Sequence, residues 1–165
     1  MNTIKKWLLF FMIMLFLSGL TAIPVQAELK WLSENFPFEG SIRNKFRELY
    51  TAVLQTKKNA PALFYGFDWL AFAHFILAIL FIGPLRDPVK NTWVIEFGII
   101  ACGLVIPYAL IAGYLRGIPV WWRLIDCSFG VIGLVPLLIV RQKIRQFHSG
   151  KEISNGQYLP DYSIL

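Results

Sequence analysis

Four positions in this chain carry ionisable side chains inside stretches otherwise apolar enough to cross a bilayer: Asp68 and His74 in one, Glu96 in the next, Asp126 in the last. A charged side chain at mid-membrane costs roughly 2.5–3.5 kcal/mol on insertion scales, so each requires a paired charge, a wet cavity or a task. Three chemistries follow from these residue types. An acid such as Glu96 or Asp126 can titrate and couple proton movement to transport. Carboxylate, imidazole and guanidinium groups together, as in Asp68, His74, Arg123 and Asp126, can serve acid–base chemistry at one face. The same groups paired against each other only make buried charge tolerable.

Spacing sorts the four into two groups. Arg116 and Arg123 bracket a short connection and Asp126 follows Arg123 by one turn, so the expected outer group is Asp68, His74, Arg116, Arg123 and Asp126, with ion pairing its economical account. His74 lies roughly 9 Å further along its helix than Asp68 and about 120° around it, so the two need not touch. His148, the other histidine, falls beyond the last span and cannot share a ligand sphere with His74, so neither metal nor cofactor is expected. Glu96 forms the inner group, one turn inside its span and level with Arg86, Lys90 and Arg141, which it can reach by snorkelling.

The elements that must hold these side chains are membrane helices. Of 165 residues, 56 % are hydrophobic and only 16 % charged, and the apolar residues cluster at 67–85, 93–115 and 124–140. Short charged connections with Pro or Gly separate them, which predicts an all-α membrane protein with three transmembrane helices. The formal charge of +6 raises the question of nucleic acid. Many of the bases flank spans, however, where they set orientation and meet anionic headgroups, and there is no zinc-ligand pattern or RNA-binding signature; the expected surface partner is the bilayer. Cys102 and Cys127 fall at different depths and form no Cys-x-x-Cys, so both are read as small packing residues.

Residues 1–27 read as a signal peptide. Lys5 and Lys6 form a basic start, Trp7 to Leu17 an apolar core, and Val25 and Ala27 the small or aliphatic positions before cleavage after Ala27. The alternative is an uncleaved fourth helix, since the apolar stretch extended to Val25 just spans a membrane. Both put residue 28 outside. The spans then alternate and leave Arg86, Lys90, Arg141, Lys143, Arg145 and Lys151 inside, with only Arg116 and Arg123 on the outer connection. That distribution predicts a multi-pass protein of the cell (inner) membrane, with the mature N-terminus outside and the C-terminus cytoplasmic. Trp69, Trp93, Trp121 and Trp122 fall near span ends, where aromatic belts form.

Residues 28–66 form an extracytoplasmic segment too small for a core of its own. Within it, Ile42, Phe46, Leu49 and Val53 share one helical face opposite Arg43, Asn44, Arg47, Thr51 and Lys58, which predicts a basic amphipathic helix over 41–58, capped by Ser41 and lying at the membrane interface. Leu29 to Phe38 is expected to insert there too. In the spans, Asp126 shares a face with Gly130 and Gly133. Gly98, Cys102, Ala109 and Gly113 make a small-residue stripe, with Glu96, Gly103, Pro107 and Tyr114 on another face, so the middle span should be flanked on both sides. Pro107 is expected to kink it. Residues 141–165 form a basic, then flexible, tail.

No phosphate-binding loop, nucleophile elbow, zinc-protease motif or dinucleotide fingerprint occurs. The reading that follows is a small multi-pass protein without catalysis of its own: an interaction, assembly or accessory subunit that binds another membrane protein or itself. Two alternatives stand beside it. One is an oligomeric ion-coupled transporter or channel using Glu96 or Asp126, and the other a membrane enzyme with an outer-face site of Asp68, His74, Arg123 and Asp126.

Overall fold

A computed structural model describes residues 2–35, 37 and 40–155, apart from the side chains of 41 and 148–155. Every element among them is a helix: α1 (Asn2–Ala22), α2 (Val25–Asn35), α3 (Ser41–Asn59), α4 (Pro61–Leu80), α5 (Ile82–Arg86), α6 (Thr92–Leu115) and α7 (Val120–Asn155). Four stretches are long and apolar enough to cross a membrane: Asn2–Ala22, Pro61–Arg86, Thr92–Leu115 and Val120–Phe147. Large apolar side chains point outward along them, among them Leu104, Ile111 and Leu115, at 61 %, 62 % and 76 % exposure. Such surface needs lipid, and the chain is an all-α membrane protein.

The helices outrun the apolar stretches that announce them. The span expected to start at residue 67 starts at Pro61, and the one expected to end at residue 140 continues as helix through Arg141, Lys143 and Arg145. In lipid the backbone must satisfy its own hydrogen bonds, so a helix ends where another partner for them appears, not where hydropathy falls. Residues 149–155 of the expected flexible tail extend α7. Residues 156–165 of that tail, and Phe36 and Phe38, lie outside the described residues.

Proline acts where its ring meets the chain. Pro84 removes a donor and crowds the carbonyl four residues back, at Leu80, and there α4 gives way to α5 through a single turn at Phe81. Pro107 does not break α6, which is continuous from Thr92 to Leu115.

The chain divides into two compact units, Met1–Met12 with Leu80–Leu165, and Ile13–Ile79. In the first, α6 and α7 are antiparallel neighbours meeting through small residues. A Cβ built on Gly130 would stand 2.6 Å from the Cys102 carbonyl oxygen, and one on Gly98 would meet Phe81 and Leu137 at 2.7 and 2.8 Å. The Gly98–Cys102–Gly113 stripe and the Gly130–Gly133 face therefore interlock. Among the described residues of this unit, the face expected for a second flank is not covered at Gly103, which has nothing within 4 Å, and Glu96 turns to α7.

Ile4, Leu8 and Phe11 of α1, Phe81, Val94 and Ile95, and Leu137, Val140 and Ile144 make the buried core of this unit, each at most 5 % exposed. The Phe11 and Phe81 rings pack with centroids 4.7 Å apart. Beside this core, Asn91 locks the turn from α5 to α6, its amide donating to the Gly83 carbonyl at 3.2 Å and the Asp87 carbonyl at 2.9 Å. At the other end α6 stops on Gly117, whose φ of +67° favours glycine. Ile118 N–H reaches back to the Gly113 carbonyl and Gly117 N–H to that of Tyr114, a Schellman motif that ties off the last carbonyls. Pro119 then caps α7, its carbonyl accepting from the N–H groups of Trp122 and Arg123.

In the second unit the later part of α1 packs on α4. A Cβ on Gly19 would lie 2.9 Å from the Ala71 carbonyl oxygen, Ala71 is buried, and the Phe16 and Phe75 rings sit 5.0 Å apart. Residues 25–59 fold on themselves: α2 and α3 form a hairpin with Leu29 and Ser33 buried, joined at its open end by Lys57 Nζ donating to Gln26 Oε1 at 2.9 Å. Leu49 and Val53 of the predicted face are half-buried. Gly40, not Ser41, holds the N-cap position of α3.

Gly130→Ala forces its methyl against backbone and should cost about 1–3 kcal/mol, the usual penalty of overpacking, read as a lower thermal midpoint in detergent. Gly103→Ala, which adds a helix-favouring residue in open space, should hold or raise that midpoint.

Candidate functional site

Among the described residues, Glu96 is the one acid of the spans with an ion pair. It sits on the second turn of α6 beside the buried Ile95, and Arg141 projects from α7 beside the buried Val140. Glu96 Oε1 accepts from Arg141 Nη2 at 3.1 Å and Nε at 3.3 Å, with the two side chains 45 % and 31 % exposed. Of the three bases level with Glu96 in the sequence, the antiparallel register selects Arg141. Arg86 lies outside the pair, and Lys90 goes to Asp87 at 3.8 Å. A charged group that must stay near hydrocarbon is met here by a partner that cannot lose its proton.

At the opposite end of the same hairpin the expected pairing is not made. Arg123 lays its stem across α6 where Gly113 leaves room: a Cβ there would stand 2.5 Å from both Cγ and Cδ of Arg123. That placement sets the stem against α6, and Arg123 Nε is buried with no acceptor. Asp126, a turn further along α7, is half-buried, and among the described residues no ion pair joins it to Arg123 or Arg116. Arg116 is exposed at the end of α6. Trp121 and Trp122 stand at the start of α7 with their rings edge to face, 5.2 Å apart.

Asp68 and His74 belong to the second unit and turn to different faces of α4. His74 looks toward α1, its Cβ 2.8 Å from a Cβ placed on Gly19, and its Nδ1 lies 2.8 Å from the Leu70 carbonyl oxygen. A carbonyl only accepts, so Nδ1 carries the proton and donates to its own helix. Asp68 is exposed in a shallow open groove with Tyr65, Trp69 and Phe72, of about 220 Å³. Tyr65 stands edge to face with Trp69 at 5.9 Å, and Trp69 with Phe72 at 5.7 Å.

Compared with protein families, curated proteins and solved structures, the chain matches none.

No group of three or more His, Cys, Asp or Glu that could hold a metal occurs among the described residues, and both cysteines are free. Cys127 Sγ lies 3.7 Å from the Ile106 carbonyl oxygen, a helix-to-helix contact. Two roles escaped the sequence. Asn91 reads as an ordinary loop residue, and its donation to two carbonyls depends on the chain turning back after α5. Gly113 reads as one more small residue of a stripe, and only the register of α7 shows that its missing side chain seats Arg123.

Removing either member of the inner pair leaves the other charge alone at the edge of the apolar core. In a double-mutant cycle, Glu96→Ala and Arg141→Ala should each lower thermal stability, and the double variant should recover about 1 kcal/mol of coupling, the upper end for pairs open to solvent on one side.

Proposed function

We propose that this chain is a non-catalytic, multi-pass subunit of the cell's inner membrane that works by binding a second membrane protein through the Asp68 face of α4. The observation that carries the reading is the groove of Tyr65, Asp68, Trp69 and Phe72. There an exposed carboxylate without a base of its own chain, among the described residues, stands between aromatic rings on a helix otherwise built for lipid. Lipid tails offer nothing to a carboxylate, whereas a lysine or arginine on a partner helix offers charge to Asp68 and cation–π contact to the rings. Two further facts support association over chemistry. Glu96, one of the two acids a coupled transporter would titrate, is tied to Arg141. Asp68 and His74, half of the enzyme site expected from the sequence, face different ways.

In this reading α1 is retained and not cleaved. Its small and aromatic residues are seated on both sides, Phe11 against Phe81 and Gly19 against Ala71, and Ala27, the predicted cleavage position, lies in the first turn of helix α2. Proteases take their substrates extended, and a helical site is a poor one. Lys5 and Lys6 then lie on the same side as Arg86, Lys90, Arg141, Lys143 and Arg145, while the α2–α3 hairpin, with six bases of its own, lies outside the cell together with Arg116 and Arg123.

Intact-mass measurement of the protein purified from membranes should return a chain beginning at or near Met1; a chain beginning at Glu28 would restore the signal peptide. A photo-crosslinking residue in place of Phe72 should capture a different membrane protein in native membranes, and Asp68→Asn should reduce the yield several-fold. Capture of this chain alone would replace the partner with self-association, and equal yields with and without the Asp68→Asn substitution would remove Asp68 from the contact.

A further inference from the structure

At the Trp121–Trp122 end of the α6–α7 hairpin two opposite charges lie a turn apart without bonding to each other. Arg123 and Asp126 are three residues apart on one helix, a spacing that puts Cβ atoms roughly 5–6 Å from each other. The Arg123 stem lies over Gly113, and its Nε is buried without an acceptor. Arginine does not shed its proton, and a buried charged donor left unmade is among the costlier defects a fold can carry. Asp126 is half-buried and unpaired among the described residues.

We infer that this pair is a binding site for the headgroup of a phosphoethanolamine lipid, with the phosphate on Arg123 and the ammonium on Asp126. The chemistry of the pair excludes simpler occupants. A plain anion would meet Arg123 but be repelled by Asp126, and a metal cation would meet the reverse. A zwitterion whose phosphate and ammonium are separated by a two-carbon link answers both charges across the spacing that two residues three apart on a helix set. A primary ammonium suits Asp126 better than a quaternary one because it has N–H groups to donate to the carboxylate. The level of the site is that of headgroups: Trp121 and Trp122 immediately precede it, and the turn at Gly117 and Pro119 closes the span just above. The inference stands apart from the proposed partner contact, which uses another face in the other unit.

Native mass spectrometry of the full chain, released from micelles holding equal amounts of phosphatidylethanolamine, phosphatidylglycerol and phosphatidylcholine with matched acyl chains, tests it. Phosphatidylethanolamine should be retained several-fold over the other two. Asp126→Asn should erase that preference while phosphatidylglycerol is still held, and Arg123→Gln should lower retention of all three several-fold. Should Arg123→Gln fail to fold, Gly113→Ala, which lifts the Arg123 stem off α6, carries the same expectation. Equal retention of the three lipids by the unaltered chain, or a preference that survives Asp126→Asn, overturns the site. Competition by water-soluble glycerophosphoethanolamine as strong as that of the lipid overturns the lipid as its occupant.

Discussion

Close approach of α6 and α7 is the contact on which the larger unit depends. In a bilayer, apolar side chains gain nothing by leaving lipid for one another, so helices associate through tight van der Waals contact and shared polar bonds. Gly98, Gly130 and Gly133 supply the first, bringing Gly130 within touching distance of the Cys102 backbone. Antiparallel register then follows from the Schellman turn at Gly117 and the Pro119 cap, and register decides which polar groups meet. It brings Arg141 to Glu96 at one end and sets Arg123 over Gly113 at the other.

The two ends of that hairpin differ in a way that bears on function. The end with Phe81, Leu137 and Val140 is closed, carrying the buried core, the Asn91 turn and a satisfied acid. At the end with Arg116, Arg123 and Asp126, Tyr114 and Leu115 are exposed, and among the described residues no ion pair joins these charges. The Asp68 groove on α4 repeats the pattern in the second unit, with His74 bonded to its own helix and Asp68 left facing outward.

Much of the fold was legible because membrane helices announce themselves. Nineteen or so apolar residues between charged connections admit few other structures, and the small-residue stripes of α6 and α7 marked the faces that meet. What composition could not place were ends and neighbours. Residues 28–66 seemed too few to fold, yet α2 and α3 cover one another, a pairing that depends on Leu29 and Ser33 facing the partner helix and leaves no mark in either helix alone. For the first helix, a basic start and small residues near Ala27 describe a leader as well as they describe a span, and the sequence holds both readings. Its seating of Phe11 and Gly19 is a tertiary fact.

The charges divide the same way. Residue type and depth alone determined that Asp68, Glu96 and Asp126 needed partners, since an ionised group in hydrocarbon is costly in any fold. They also placed Glu96 level with Arg141. Whether a pair forms was decided by side-chain geometry, which depends on register and on what the neighbouring helix leaves vacant. Glu96 meets Arg141 because α7 runs past it at the right level; at the other end the Arg123 stem lies over a glycine of α6, and among the described residues no ion pair joins it to Asp126.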